Sequence, residues 1–274
     1  MRISAMANEC LRDMIREARV YLTPVPKKNK WIFLVGCYNS GTTLLSEILR
    51  RHPEISGLST EGHFITSEFI KDYDVGLPRM WVDREDLFTL DEGSVGPDPK
   101  RVKKEWAMRL NTKKKYLMEK SPPNVPRMRW INHHFESPYF IGIVRNGYAV
   151  AEGIARKAKP MHLKKGWPIE KCAYQWARSN EVMLNNSNQV KNFILIKYED
   201  LTENTADTIE TITKYIGAKN YGIDQADKEW MIHERSEPIR NLNLESISRL
   251  TDRDKRVIRD VAGPMLERFG YKHD

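Results

Sequence analysis

The chain has 274 residues, of which 40% are apolar, and this predicts a globular protein of one domain or two. Its 45 Lys and Arg residues and 37 Asp and Glu residues give a net charge of +8. The three cysteines are widely spaced and form no C-x-x-C pair, which argues against disulfides and a structural zinc site. The first twenty residues carry charges, and no later apolar run is long enough to span a membrane. We therefore expect no signal peptide, no membrane span and a cytoplasmic protein. The positive charge favours an anionic ligand and leaves nucleic acid, a membrane surface and a phosphorylated small molecule open.

The first predicted element is an amphipathic helix over residues 8–22. Its apolar positions share one helical face: Leu11, Met14, Ile15, Ala18 and Leu22. Two prolines, Pro24 and Pro26, then break the helical pattern. We expect residues 1–30 to form a helix and a linker that pack on the outside of a main domain of residues 31–274.

The stretch from Trp31 to Pro53 predicts a strand, a phosphate loop and a helix. An apolar run ends at Gly36, and apolar residues return at helical spacing after Thr43. The loop reads G-x-x-x-x-G-T-T, so Thr42 stands where a nucleoside triphosphatase carries its lysine. No apolar strand ends in the Asp that would hold Mg²⁺. The loop therefore fits a 5′-phosphate or a phosphosulfate better than a triphosphate.

Strands and helices alternate along most of the remaining chain. Strands are predicted at residues 55–59, 116–118, 139–144 and 193–196, and helices at about 125–135, 168–189, 204–216 and 251–268. A further helix, after Gly147, would hold Val150, Ile154 and Ala158. Thr251, with Asp254 three residues later, is close to a capping box. Residues 72–115 are harder to read, and we interpret them as a lid or acceptor-binding insertion with one helix. The alternation predicts an α/β, P-loop-type, three-layer fold with helices on both faces of a central, mainly parallel sheet.

Two strand-loop-helix units offer two separated anion sites. In the first unit, backbone N–H groups of residues 39–43 meet the amino end of a helix, where the helix dipole favours an anion. The second unit begins at Arg145 after its strand, and a planar guanidinium can bind a phosphate dianion in bidentate fashion. Lys157, further along the second helix, is placed to assist.

Separated motifs follow one another in a fixed order along the chain. They are S-G-T-T-L-L at 40–45, S-T-E-G-H-F at 59–64, E-K-S-P at 119–122, I-V-R-N-G at 143–147, K-Y-E-D-L at 197–201 and E-R-S at 234–236, followed by Ile239-Arg240, Asn243 and Arg249. This ordered set resembles the sulfotransferases that use 3′-phosphoadenylyl sulfate (PAPS), most closely the branch that includes the tyrosylprotein sulfotransferases. The resemblance runs from Trp31 to the carboxyl end, so residues 31–274 would be a sulfotransferase domain.

The resemblance implies transfer of a sulfuryl group from PAPS to an acceptor hydroxyl or amine, with no metal required. Glu61 would be the general base, with His63 as the substitute candidate. Lys120 and Ser236 would stabilise charge that develops at the bridging oxygen. The implied cofactor contacts are Asn39, Ser40, Gly41, Thr42, Thr43, Arg145, Gly153, Lys157, Tyr198, Ser236, Arg240, Asn243 and Arg249.

Two positions depart from the family pattern. Asn39 stands where the family usually carries Lys or Arg, immediately before S-G-T-T. The resemblance implies that Arg145 binds the 3′-phosphate, and Gly153, eight positions after it, stands where the family has a serine. A backbone N–H group or Lys157 would have to replace that hydroxyl, and Lys120 is one candidate for the missing charge.

Several alternatives stay open at the level of sequence. The alternative for Glu61 is a helix cap, and His133 and His134 are expected at packed or surface positions. Trp81, Trp106 or Trp167 would line an acceptor pocket if they are not core. We expect a small-molecule acceptor such as a natural product, with a peptide tyrosine or a glycan as the alternative, and no nucleic-acid or membrane partner. A small-molecule P-loop kinase and a non-catalytic nucleotide- or RNA-binding protein remain the readings of other classes, and the oligomeric state is open.

Overall fold

The computed structural model describes the backbone of residues 2–158, 166–221, 230–232 and 235–271, and the side chains of residues 11–158, 166–221 and 238–271. At its centre is a five-stranded sheet in the order β2-β3-β1-β4-β5, and every neighbouring pair in it is parallel. Its strands are β1 (Lys30–Val35), β2 (Ile55–Gly57), β3 (Tyr116–Lys120), β4 (Tyr139–Val144) and β5 (Asn192–Lys197). Two short strands, β6 (Trp230–Ile232) and β7 (Arg235–Glu237), form a separate antiparallel pair.

Helices occupy most of the chain between the strands. They are α1 (Arg2–Leu22), α2 (Thr42–Arg50), α3 (Gly62–Ile65), α4 (Glu85–Phe88), α5 (Pro99–Ala107), α6 (Met128–His134), α7 (Gly147–Ala158), α8 (Ile169–Ser187), α9 (Tyr198–Glu203), α10 (Thr205–Ile216), α11 (Asn243–Ile247) and α12 (Asp252–Arg268). Short 3₁₀ helices cover Trp81–Arg84 and Pro122–Arg127. The predicted capping box at the start of α12 is confirmed, because the Thr251 and Asp254 side chains each bond the other's backbone N–H.

Alternate residues of the central strand β1 enter two different hydrophobic clusters. Trp31 and Phe33 belong to the cluster that includes apolar residues of α7, α8 and α12, whereas Ile32 and Leu34 belong to the cluster that includes those of α2 and α10. Because successive side chains of a strand point to opposite faces, a sheet covered on both faces needs apolar residues at every position of its central strands. The predicted three-layer α/β fold is confirmed.

The segment between α3 and β3 differs in part from its prediction. Helix α5 is the helix expected within residues 72–115, and Trp81 and Trp106 are both fully buried. The Trp106 ring lies 5.9 Å from the Phe135 ring, and its Nε1 donates to the Gly62 carbonyl at 3.0 Å. Both rings are core, so the alternative that they line an acceptor pocket is wrong. Trp167 is only partly buried, and its Nε1 donates to the Pro78 carbonyl at 2.7 Å.

The helix predicted at 125–135 is split into a 3₁₀ helix followed by α6. Pro126 lies inside the 3₁₀ helix Pro122–Arg127, and regular α-helix begins only at Met128. The reason is that a proline provides no backbone N–H and its ring clashes with the carbonyl four residues earlier. The sequence pattern predicted the position of this segment but not its tighter first part.

Helix α1 contacts the domain through polar side chains. Arg16 donates to Glu105 at 2.9 Å, and Arg101 bonds the Glu17 carboxylate. The apolar face predicted from spacing is turned outward, since Leu11, Met14, Ile15 and Leu22 are all exposed by at least half of their surface. Of the apolar residues in its described part, Val20 is buried. None of the described helices is long and apolar enough to cross a membrane.

Candidate active site at the carboxyl edge of the sheet

Every strand of the central sheet ends beside a residue that the sequence singled out. Glu61 follows β2, Lys120 ends β3, the phosphate loop follows β1, Arg145 follows β4 and Tyr198 follows β5. Because the strands are parallel, their carboxyl ends lie along one edge of the sheet, where α/β folds bind ligands. The topology therefore gathers residues that lie up to about 160 positions apart in the chain.

The phosphate loop is shaped by backbone conformations that glycine favours. Gly41 has φ +99°, and a Cβ added to it would lie 2.6 Å from the Tyr198 ring, so a side chain does not fit. Asn39 also has a positive φ, of 62°. Helix α2 begins directly afterwards at Thr42, so its first N–H groups face the space above the loop. The Ser40 hydroxyl is buried without a hydrogen-bond partner among the described residues.

Glu61, Lys120 and Thr43 form a connected polar group next to this loop. The Lys120 ammonium donates to Glu61 Oε1 at 3.0 Å and to Thr43 Oγ1 at 3.3 Å. Glu61 stands at the N-cap position of α3, yet its side chain makes no capping hydrogen bond within the described part of the chain. The capping alternative for Glu61 therefore finds no support in the geometry. The carboxylate instead faces a lysine that also contacts the phosphate loop.

The buried side chain of Glu119 holds the backbone of the turn that follows Glu61. The buried Glu119 carboxylate accepts from the Gly62 backbone N–H at 2.8 Å and from the side chains of Ser121 and Asn124. A Cβ at Gly62 would lie 2.5 Å from Glu119 Oε1, so residue 62 has no room for a side chain. Burial raises the pKa of Glu119 to about 7. Glu119 thus holds the backbone that presents Glu61.

His63 lies in the same buried network, behind Glu61. Its Nδ1 is 3.0 Å from Ser121 Oγ and 3.7 Å from Glu61 Oε2, and its Nε2 is 3.9 Å from Asp72 Oδ1. Burial alone would raise the pKa of Asp72, but the contact with His63 and hydrogen bonds from the Arg79 backbone and Tyr38 lower it below its usual value. His63 is fully buried, which makes it less accessible to an acceptor than Glu61.

Arg145 is held at the other end of the site. Its Nε donates to Asn243 Oδ1 at 2.7 Å, its Nη1 donates to the Asn39 carbonyl at 3.1 Å, and its guanidinium lies 4.3 Å from the centre of the Tyr198 ring. Asn243 is oriented in turn by a 2.6 Å hydrogen bond to Glu199. Arg145 is buried, and its Nη2 has no partner among the described residues. A buried guanidinium with a free donor is suited to bind an anion.

One open cavity of about 980 Å³, including its mouth, connects these two ends. Its lining includes Tyr38, Asn39, Gly41, Thr42, Thr43, Glu61, Arg79, Arg145, Gly153, Arg156, Lys157, Tyr198, Arg240 and Ser246. Burial, followed by the charges of Arg79, Arg156 and Arg145, lowers the pKa of Lys157 to about 8. Five basic side chains line the cavity, those of Arg79, Arg145, Arg156, Lys157 and Arg240, and Glu61 is the one carboxylate in this list.

The chain was compared with known families, curated sequences and solved structures. A sequence model of the sulfotransferase family matches residues 32–221. The chain belongs to the sulfotransferase family. No curated protein sequence matches it.

Solved sulfotransferases resemble this sulfotransferase in structure at low sequence identity. Sulfotransferase STF9 from Mycobacterium avium has a TM-score of 0.61 and 13% identity, with 95% of this chain and 81% of that chain covered. The sulfotransferase domain from the Synechococcus PCC 7002 olefin synthase has a TM-score of 0.56 and 19% identity, with 91% and 98% covered. The corresponding domain from the curacin biosynthetic pathway has a TM-score of 0.51 and 17% identity, with 89% and 98% covered. At these identities the likeness shows the fold, and it confirms the P-loop-type architecture.

Most of the predicted site residues of this sulfotransferase lie at or beside the cavity. Ser40, Lys120 and Asn243 contact or adjoin residues of its described lining. Arg249 lies outside that lining, where it pairs with Glu245 and lies 3.6 Å from Glu152. Ser236 lies on β7, but its side chain is outside the described residues, as are residues 233 and 234 of the late motif.

Sequence reasoning missed several residues of the site. Arg156 adjoins Lys157 in α7 and shares the cavity with Gly153, so helical spacing from Gly153 was a signal that could have found it. Tyr38 and Arg79 carried no such signal, because one is an aromatic residue in a loop and the other follows a proline in a turn. Among the described residues, no group of three or more His, Cys, Asp or Glu side chains is arranged to hold a metal ion.

Proposed function

We propose that this sulfotransferase transfers a sulfuryl group from PAPS to a hydroxyl or amine of a small-molecule acceptor. The observation that carries the proposal is one cavity whose lining includes both Arg145 and the pair Glu61 and Thr43, which Lys120 joins by hydrogen bonds. PAPS has a phosphosulfate and a separate 3′-phosphate, and therefore needs two anion sites joined by one cleft. A nucleotide with one phosphate group would leave one of the two sites without a ligand.

The buried donors around the cavity support the fit to PAPS. Asn39 Nδ2, Ser40 Oγ, Arg79 Nε and Arg145 Nη2 are all buried and lack hydrogen-bond partners among the described residues. Unpaired buried donors cost about 1–3 kcal/mol each, so several of them in one place indicate a ligand rich in acceptor oxygens. The residues that would hold PAPS are the phosphate loop with α2 for the phosphosulfate and Arg145 with Lys157 for the 3′-phosphate.

PAPS supplies an activated sulfuryl group, and the chain's own residues position the partners and move the proton. Glu61 accepts the proton of the acceptor hydroxyl or amine as the acceptor attacks sulfur. Lys120, bonded to both Glu61 and Thr43, stabilises negative charge that develops on the leaving phosphate side. The N–H groups and the dipole at the start of α2 act on the same charge.

The surroundings of Glu61 support an acceptor with an apolar or aromatic body. Phe64, whose N–H bonds the Glu61 carbonyl at 3.1 Å, leaves 39% of its surface exposed, and its ring lies 5.6 Å from that of Tyr73. Ile70 and Val75 in the same segment are exposed to a similar extent. The exposed Phe64 ring next to the proposed base offers a contact for an apolar acceptor, and small-molecule sites combine such contacts with a few polar groups. The expectation of a cytoplasmic enzyme stays a prediction.

The test is incubation of the protein with ³⁵S-labelled PAPS and fractions of an extract of its source cells, followed by identification of the labelled product. We expect label in a small organic molecule as a sulfate ester or sulfamate, and a rate of labelling reduced by about 10²-fold or more with Glu61→Gln. Label in protein tyrosine or in a glycan would correct the acceptor class. Transfer of phosphate from ATP with Mg²⁺, and no transfer of sulfate, would replace the proposal by a kinase.

A further inference from the structure

The two positions that depart from the family pattern touch each other in the structure. A Cβ added to Gly153 would lie 3.1 Å from Cγ, 3.2 Å from Cβ and 3.4 Å from Nδ2 of Asn39. A side chain at position 153 would therefore be in tight contact with the Asn39 side chain, which would have to shift by a few tenths of an ångström. Asn39 Nδ2 is buried and has no partner among the described residues, although it lines the cavity. The two positions that depart from the family pattern are therefore neighbours, and a change at one affects the space at the other.

A third residue completes this arrangement. Arg79 Nη1 donates to Asn39 Oδ1 at 3.4 Å, and this hydrogen bond turns the amide so that Nδ2 faces away from Arg79. Arg79 lines the cavity, and its Nε is buried without a partner in the described part of the chain. Its guanidinium lies 5.9 Å from the centre of the ring of Tyr38, which is a residue of the phosphate loop. A cation thus stands beside residue 39, although residue 39 itself carries none.

The backbone of Arg79 is held in a conformation that its residue type disfavours. Its φ is +61°, and Met80 N donates to the Leu77 carbonyl at 3.0 Å across a turn with Pro78 at its second position. This is the pattern of a type II turn, in which glycine is favoured at the third position. Two contacts keep the turn in place, from Arg79 N to Asp72 Oδ2 at 2.9 Å and from Trp167 Nε1 to the Pro78 carbonyl at 2.7 Å. Backbone strain of this kind clusters at functional sites.

The charges around Arg79 also indicate an anionic ligand. Arg145, Arg156 and Lys157 line the same cavity, and like charges this close repel one another in a partly buried site. An anion among them converts repulsion into attraction. Arg79 contacts the Tyr38 ring and the Asn39 amide of the phosphate loop, and Gly153 of α7 adjoins the same Asn39 side chain.

We propose that Arg79 supplies the cationic contact to the phosphosulfate that residue 39 lacks, and that it orients the Asn39 amide to donate to the nucleotide where a serine at position 153 would. The inference rests on the proposed function. It assigns a binding role to a residue from the turn between α3 and α4, distant in sequence from every motif. Two proposals are therefore to be separated, the cationic contact of Arg79 and the donor role of the Asn39 amide. The substitutions that separate them are Arg79→Gly, Arg79→Lys and Asn39→Gly.

The experiment measures PAPS and adenosine 3′,5′-bisphosphate (PAP) binding by calorimetry, together with thermal unfolding. Arg79→Gly should unfold at the same or a higher temperature than the wild type, because glycine adopts a positive φ without strain. It should bind PAPS about 10²-fold more weakly, the scale of one lost charge-assisted hydrogen-bonding contact. The affinity of Arg79→Gly for PAP, which lacks the sulfuryl group, should fall less, and Arg79→Lys should recover part of the affinity for PAPS.

Asn39→Gly should weaken the binding of PAP. Adding Arg79→Gly to it should then reduce the affinity for PAPS further but change the affinity for PAP little.

Ser137→Gly is the matched control, because Ser137 has a positive φ of 43° and is exposed far from the cavity. It should unfold at the same or a higher temperature and leave both affinities unchanged. If Arg79→Gly binds PAPS as tightly as the wild type does, the inference is wrong while the proposed function stands. If the wild-type chain binds neither PAP nor PAPS, the proposed function is wrong and the inference falls with it.

Discussion

The Lys120 ammonium lies 3.0 Å from the Glu61 carboxylate, and the same ammonium reaches Thr43 in the phosphate loop. This contact joins the residue that would accept the acceptor's proton to the loop that would hold the phosphosulfate. A salt bridge between exposed side chains contributes little to stability. Here the Lys120 side chain is only 12% exposed and the Glu61 side chain only 23% exposed, at the mouth of a cleft. In the proposed reaction, this contact would bring the base and a cation to the same reacting centre.

Glu61→Gln should reduce turnover by about 10²-fold or more, because glutamine cannot accept the acceptor's proton. Affinity for PAP should stay close to that of the wild type, since an acidic side chain does not bind a phosphate group. Steady-state assays with ³⁵S-PAPS and calorimetry with PAP separate the two quantities. Glu92→Gln, at an exposed position paired with Arg129, is the control. Unchanged turnover in Glu61→Gln would move the base role elsewhere, and His63 would be tested next.

PAP affinity should fall as pH rises above about 8. Burial and three neighbouring arginines lower the pKa of Lys157 to about 8 in the free protein, and a bound phosphate dianion would raise it again. Binding is therefore fully favoured below pH 8, where Lys157 is already protonated. Above it, one proton must be taken up on binding, so affinity is lost by up to about tenfold per pH unit.

Calorimetry of PAP between pH 6.5 and about 9.5, in buffers of different ionisation enthalpy, measures that proton uptake. Lys157→Arg should remove most of the dependence, because arginine stays charged throughout this range. A wild-type affinity that is flat across pH 8, with no proton uptake, would contradict the assignment of Lys157 to the phosphate site.

Gly153→Ser, which restores the family residue, should weaken PAP binding when it is made alone. The new Cβ would lie 3.1 Å from Asn39 Cγ, so the Asn39 side chain, which lines the cavity, would have to shift by a few tenths of an ångström. Combined with Asn39→Gly, the serine gains the space it needs. The two substitutions should therefore be coupled by about 0.5–3 kcal/mol in a double-mutant cycle of PAP affinity. Additive effects would show that the two positions act independently.

The sheet, its flanking helices and most of the site residues were predictable because they depend on local pattern. Apolar runs define β1 and β4 whichever residues they pair with, and parallel strands bring Glu61, Lys120 and Arg145 to one edge once the fold is known. The order of the motifs indicated the family, which the match to residues 32–221 shows.

What could not be predicted depends on contacts between residues far apart in the chain. Arg79 lies 40 positions from Asn39, and no periodicity connects a turn residue with a phosphate loop. The contact of Asn39 with Gly153 likewise follows from how α7 packs beside the loop. The outward apolar face of α1 was misjudged for the same reason, since helical spacing identifies an apolar face but not what covers it.

The most direct test of two separated anion sites is the affinity of wild type and Arg145→Ala for PAP and for adenosine 5′-monophosphate, measured without metal. The wild type should prefer PAP by about 10²-fold or more, since the 3′-phosphate adds charge-assisted hydrogen bonds from a buried guanidinium. Arg145→Ala should lose most of that preference and keep its affinity for the monophosphate. Arg84→Ala, an exposed arginine paired with Asp86, should behave as the wild type. Equal losses for both nucleotides in Arg145→Ala, or a wild type that binds them equally, would contradict the account.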